Sequence, residues 1–268
     1  MSKAGDLACW IKGGIGRRFE RGAVLFFING VRPGGRPLFE NAVPLLYMEI
    51  PLLYESPEFL AISKPNGLVV ERDPHGYPSV EEWAGKLWPF VGIVHRLDRP
   101  VSGVLLLAKK KSALRNLNRQ FEAKTVVKIY LAIAEHTPSS PEGILEHWLI
   151  KDQKGKKALV AEPSAQGAFL CKLNYRVLQT LPNGLSLLEI RPQTGKFHQI
   201  RAQLSAAGCP IVGDEKYGAV LPYLANGIAL HAWQLHFADP ATGESLQLKA
   251  PGPVHSLWTD FDYLSAHI

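Results

Sequence analysis

GIVHRLDRPVSGVLLLAKK, residues 92–110, holds the contrast on which the reading of this chain turns. Val101 to Ala108 is an almost continuous apolar run, too short for a typical buried helix, and is expected to be a central strand. Just before it, His95, Arg96, Asp98 and Arg99 crowd a short loop, with Ser102 and Gly103 where the strand begins. A central strand cannot easily solvate a charge, whereas a loop fixed to a rigid sheet can display one. Asp98 lies amid cations. If it is partly buried, an adjacent Arg or Lys favours its charged form and keeps an anionic oxygen near neutral pH. The plain alternative is an Asp tied into a surface ion pair.

The segments on either side extend the pattern. Phe59 to Ser63 reads as a short strand, followed by a Pro65-Asn66-Gly67 turn and the apolar Leu68 to Val70. After the central strand, Leu114, Leu117 and Phe121 recur at three and four residues, while Lys111, Arg115 and Arg119 recur at four on another face. That spacing predicts a helix with one apolar and one cationic stripe. The stripe is either a wet outer face or, if it meets nucleic acid, a set of phosphate contacts that weaken with salt. A strand is expected over 127–134, a basic hairpin tip at KDQKGKK (151–157) and another strand over 185–192. QTGKFHQIRAQLSAAGCP (193–210) then predicts a turn and a helix with Thr194 as N-cap, Ile200 and Leu204 on one face and Gly208 as the stop. Lys196, His198 and Arg201 fall in its first two turns, where backbone N–H groups and positive charge suit a carboxylate or phosphate.

Composition bounds the remaining choices. The 268 residues are 46% hydrophobic and 20% charged, as in a globular chain able to bury a core. The first fifty or so residues differ, with a basic Gly-rich start (Lys12, Arg17, Arg18, Arg21) and a strand-like AVLFFINGV, so residues 1–53 are set apart as a small basic N-terminal extension from a main domain at 54–268. Thirty Lys and Arg against twenty-four Asp and Glu leave +6, a modest excess compatible with a nucleic-acid partner. Cys9, Cys171 and Cys209 show no CxxC spacing, which argues against a disulfide framework or thiolate zinc site and fits a reducing cytoplasm. Asp6 interrupts any leader-like apolar run, and the uncharged stretch from Gly218 to Ala238 contains Pro222 and Asn226-Gly227, so it reads as loop then strand rather than a membrane span. There is no GxGxxG or HExxH. His231 and His236, five apart in an expected strand, face opposite ways and make a poor metal pair.

HRLDRPVSGVLLLAK resembles the catalytic signature of the RluA-type RNA pseudouridine synthases. YESPEFLAISKPNGLVV lies upstream of it; VVKIYLAI, RPQTGKFHQIRAQLSAAGCPIVGDEKYG and LHAWQLHFADPATGESLQLKAP follow in order, so the resemblance spans about residues 54–253. It implies an α+β catalytic domain with a large, mainly antiparallel mixed sheet in two parts flanking a cleft, and peripheral helices. It implies a monomer that isomerises uridines in ribosomal or transfer RNA without cofactor or metal, because cleaving the glycosidic bond, turning the uracil and rejoining it through C5 involves no redox step or net hydrolysis. By the same resemblance Asp98 matches the catalytic Asp, Tyr130 the active-site Tyr and Arg201 the basic residue paired with the Asp. Arg96 matches an Arg that fills the space left by a flipped nucleotide. With His95, Arg99, Lys111, Arg115, Arg119, Lys196 and His198 it forms the candidate RNA-contacting set. Val101 and Phe197 depart from the pattern, each standing where a Thr is usual, which bears on substrate preference. The extension at 1–53 would correspond to a degenerate RNA-binding element. The rival reading is an RNA-binding or chaperone protein that kept the fold without turnover. A glycosidase would need a second carboxylate across the sugar, and the signature segments offer none.

Overall fold

In the computed structural model, residues 50–267 are described; the expected AVLFFINGV strand and the basic segment before it lie outside them. The chain runs β1 (Leu52–Glu55), β2 (Phe59–Lys64), α1 (Val80–Gly85), β3 (Gly92–Ile93), β4 (Ser102–Ala108), α2 (Lys111–Glu122), β5 (Val127–Ala134) and β6 (Glu142–Asp152). It continues through β7 (Lys157–Val160), β8 (Phe169–Thr180), β9 (Ser186–Pro192), α3 (Gln199–Ala206), β10 (Leu230–Ala238), β11 (Ser245–Lys249), α4 (Ser256–Thr259) and α5 (Asp262–His267). This is the α+β arrangement read from the sequence, with a mixed, mostly antiparallel sheet and few helices. The first strand starts two residues ahead of the boundary placed at 54.

The strands form one eleven-stranded sheet in the order β1-β2-β4-β10-β5-β9-β8-β6-β7, with β3 added to β4 and β11 to β10. Its single parallel junction, β4 with β10, is only two residue pairs long, His231 with Ser102 and Ala232 with Gly103. This short seam divides the sheet into two parts. At the seam Gly103 adopts φ +120, and a Cβ there would overlap the backbone of Ala232, so the junction requires glycine.

Each of the seven residues of β4 is buried, as the uncharged run predicts for a central strand. On one face Val104 and Leu106 join Phe59, Leu235, Phe237 and Leu117 of α2 in a common core. Gln120 pins the helix to the end of β10, donating to the Ala238 carbonyl at 2.8 Å and accepting from its N–H at 2.9 Å. The opposite face of α2 leaves Lys111, Arg115 and Arg119 exposed. The 153–156 tip joins β6 to β7 as the expected basic hairpin.

Val69 makes an isolated parallel bridge with Ser79. One local expectation is corrected. Helix α3 starts at Gln199 with His198 as N-cap, rather than at Thr194, so Lys196 precedes the helix. The Thr194 hydroxyl instead donates to Gln199 Oε1 at 2.7 Å, and His198 at φ +51 turns the chain abruptly into the helix. Gln199 to Leu204 are all buried, because α3 docks against β6 and β7 rather than lying on the surface. Gly208, at φ +75, ends it as expected. The stretch before β10 is loop, and no helix among the described residues is long and apolar enough to cross a membrane.

Candidate active site

Asp98 sits in the 94–101 loop that feeds β4 at the seam, and backbone bonds fix this loop from three directions. Val101 N–H closes a turn onto the Asp98 carbonyl at 3.0 Å; Gly67 N–H donates to the Arg99 carbonyl at 2.8 Å; Ile228 N–H donates to the Pro100 carbonyl at 3.1 Å. Asn66 Nδ2 donates to the same Pro100 carbonyl at 2.5 Å. The Arg99 side chain joins this lock. Its Nε donates to the Gly67 carbonyl at 3.1 Å, its Nη2 donates to Asn226 Oδ1 at 3.0 Å, and its guanidinium lies 4.3 Å from the Tyr77 ring centroid. His95 accepts the Leu106 N–H on Nε2 at 3.0 Å and stacks on Phe121 at 4.9 Å. Burial holds its pKa down to about 3, so the ring is neutral and carries its proton on Nδ1.

Arg201, in the first turn of α3, reaches this loop from the other part of the sheet. Its Nη1 donates to Asp98 Oδ2 at 3.3 Å and to His198 Nε2 at 3.1 Å. Its Nε and Nη2 form a two-pronged pair with Asp214, both at 2.7 Å. Since His198 Nε2 accepts from the guanidinium, its proton lies on Nδ1 and is donated to the Tyr217 hydroxyl at 2.9 Å. Burial, followed by the charge of Arg201, lowers the His198 pKa to about 3; the imidazole is therefore neutral and no ion pair to Asp98 at 3.7 Å.

Lys64, wholly buried at the end of β2, caps the same loop from behind. Its ammonium donates to the carbonyls of Pro65 and Leu68 at 2.8 Å and to that of Arg99 at 3.3 Å. Burial pulls its pKa down to about 7, with the Asp98 charge opposing. For Asp98 itself the balance differs from the sequence-based expectation. Burial raises the carboxyl above its ordinary value, Arg201 and then Lys64 pull it back only in part, and the nearby Asp214 charge adds to the rise.

Asp98, Arg201 and His198 line a cleft of about 470 Å³, a volume typical of small-ligand sites. Asp98, Tyr130, Arg201, His95, Arg96, Lys196 and His198 all border it, so the structure brings together most of the residues singled out from the sequence. Asp98 is 27% exposed there, accessible along one edge. Tyr130 and Lys128, two apart on β5, project into the cleft from the same strand face. Burial, then the Asp98 charge, raises the Tyr130 pKa well above the usual phenol range. Arg96 is exposed at the rim and pairs with Glu71 at 2.9 Å. Arg99, Lys111, Arg115 and Arg119 do not border this cleft. Sequence reasoning missed Lys64, Lys128, Glu71 and Asp214. Lys64, Lys128 and Asp214 lie in the resembling segments, but no spacing rule links Asp214 to an Arg thirteen residues earlier.

A family model described as RNA pseudouridylate synthase matches residues 58–206. The chain is 33% identical over 210 residues to ribosomal large subunit pseudouridine synthase C of Rickettsia typhi, covering 76% of this chain and 68% of that one. It is 33% identical over 223 residues to the protein of the same name from Haemophilus influenzae, covering 80% and 69%. Among solved structures, human RNA pseudouridylate synthase domain containing 4 superposes with a TM-score of 0.65 at 26% identity, covering 80% of this chain and 93% of that one. The family match takes in more than half the chain, including the Asp98 loop, the Tyr130 strand and the Arg201 helix turn, and the chain belongs to the RNA pseudouridylate synthase family, as an RNA pseudouridine synthase.

Proposed function

We propose that this enzyme converts uridines of large-subunit ribosomal RNA to pseudouridine, with Asp98 as the reacting carboxylate, Arg201 as its orienting counter-charge and Tyr130 as the group against the uracil. The observation that carries the reading is the placement of one carboxylate edge in a cleft, beside a guanidinium and a tyrosine from different elements. The names of the relatives in Rickettsia typhi and Haemophilus influenzae support the choice of ribosomal RNA.

The chemistry follows from the environment. Whether the carboxylate attacks the sugar carbon or draws a proton from the sugar, it must be ionised, and a carboxylate stripped of most of its water is a stronger base than a solvated one. Arg201 touches it through one N–H, which fixes its direction without covering both oxygens. Burial holds the Tyr130 phenol protonated, so it stacks on the uracil and can donate its O–H proton, whereas it can take the C5 proton only as its own proton leaves the oxygen. Reaching the base requires everting the nucleotide, at a cost of a few kcal/mol offset by contacts elsewhere. Arg96, at the rim and held by an exposed carboxylate, is free to follow the duplex and fill the gap. Asp98, Tyr130 and Arg201 all come from one chain, so a single copy suffices.

Mapping pseudouridines across cellular RNA with and without the gene tests the substrate. The expected result is loss of one or more sites in large-subunit ribosomal RNA. An unchanged ribosomal map with sites lost from transfer RNA overturns the assignment.

A further inference from the structure

A second cavity of about 570 Å³ adjoins the first and shares Glu71, Arg96, Leu97, Asp98, His198 and Arg201 with it. The two spaces therefore meet across the proposed reacting carboxylate. The far wall of the second is different in kind, carrying Phe197 from the turn before α3, Lys156 from the β6–β7 hairpin tip and Lys216 from the 3-10 turn after α3.

Phe197 is a large apolar ring left 38% exposed beside a polar site. One face is backed by His198, with ring centroids 3.8 Å apart and planes at 19°. His198 is itself held by Arg201 and Tyr217, so the platform is rigid before anything binds. Over the ring lies the ammonium of Lys151, 4.9 Å from the centroid, on a side chain that reaches from an exposed strand position and can swing aside. Lys216 Nζ donates to the Lys156 carbonyl at 3.2 Å, which ties the hairpin tip to this wall. Neither Lys156 nor Lys216 makes an ion pair with a carboxylate among the described residues. A rigid ring with a replaceable cover, flanked by two unneutralised cations, matches the combination of stacking surface and phosphate contacts that holds single-stranded nucleic acid.

We propose that Phe197 is the stacking platform for the nucleobase adjacent to the target uridine, with the neighbouring phosphate against Lys156 and Lys216. This rests on the RNA reading of the first cleft and adds to it a site that selects sequence context. The family resemblance leads one to expect Thr at this position, where this chain carries Phe.

Photocrosslinking with mass spectrometry tests it. Ribosomal RNA transcripts are prepared in four pools, each carrying a photoreactive analogue of one base, and irradiated with the wild-type protein. An adduct on Phe197 in at least one pool supports the proposal. Adducts elsewhere in the cleft, such as on Tyr130 or Phe121, with none on Phe197, overturn it while leaving the RNA reading intact. Adducts nowhere overturn the RNA reading itself. Kinetics supply the second arm. Phe197→Leu is expected to raise KM about tenfold, the scale of one lost base stack, and Phe197→Trp to restore it. A fall in kcat with unchanged KM in both variants would assign Phe197 to packing against His198 and overturn the proposal.

Discussion

Arg201 serves two carboxylates, and the shorter bonds go to the one outside the cleft. Asp214 takes two prongs at 2.7 Å and Asp98 one at 3.3 Å, so Asp214 aims the guanidinium and Asp98 receives what it presents. Asp214 is 1% exposed and has no other ion-pair partner among the described residues. Removing the guanidinium strands a buried charge, which typically costs about 3–5 kcal/mol. Arg201→Ala is therefore expected to lose about that much stability in urea unfolding, beyond its loss of activity. The double variant Arg201→Met/Asp214→Leu should regain most of the stability and remain inactive. Unfolding of Arg201→Ala at the wild-type midpoint would contradict this account. Asp98, Tyr130 and Arg201 could be picked out because contiguous or ordered motifs carry them. Lys64 and Asp214 could not, since each matters only through burial against distant backbone or side chain.

The elements meet at the β4–β10 seam, which explains both the position of the site and the limits of reading it. The apolar β4 run and the alternating stripes of α2 follow from local periodicity, and both elements formed as the sequence predicts. The start of α3 did not. Thr194 has the chemistry of an N-cap, but its hydroxyl is taken by Gln199 and a left-handed His198 begins the helix instead, a conformation no local pattern signals. The parallel pairing of β4 with β10, more than a hundred residues apart, is equally invisible locally. Gly103 is the weak point of that seam. Gly103→Ala forces a Cβ toward the Ala232 carbonyl at φ +120 and should destabilise the fold by more than about 1 kcal/mol. Because Asp98 hangs from the start of the same strand, turnover should fall as well. Denaturation and steady-state assays on the purified variant check both; wild-type values for each would show that the seam tolerates side chains.

Among the described residues the cations are not all gathered at the site. Lys111, Arg115 and Arg119 lie exposed on α2, away from the cleft wall, whereas the cleft holds its cations close to Asp98 or at its rim. Surface charge can then draw RNA in without deciding which atom reacts, and affinity and chemistry become separable. Asp98→Asn separates them most directly, because Arg201 keeps Asp214 as its partner and the fold keeps its buried pair. The decisive measurement is single-turnover pseudouridine formation on a ribosomal RNA transcript by the Asp98→Asn protein, with RNA binding followed in parallel. The rate should fall by more than about 10³-fold, as when a reacting group is removed, while binding stays within about twofold because phosphate contacts dominate it. Turnover at the wild-type rate would contradict the assignment of Asp98 as the reacting carboxylate.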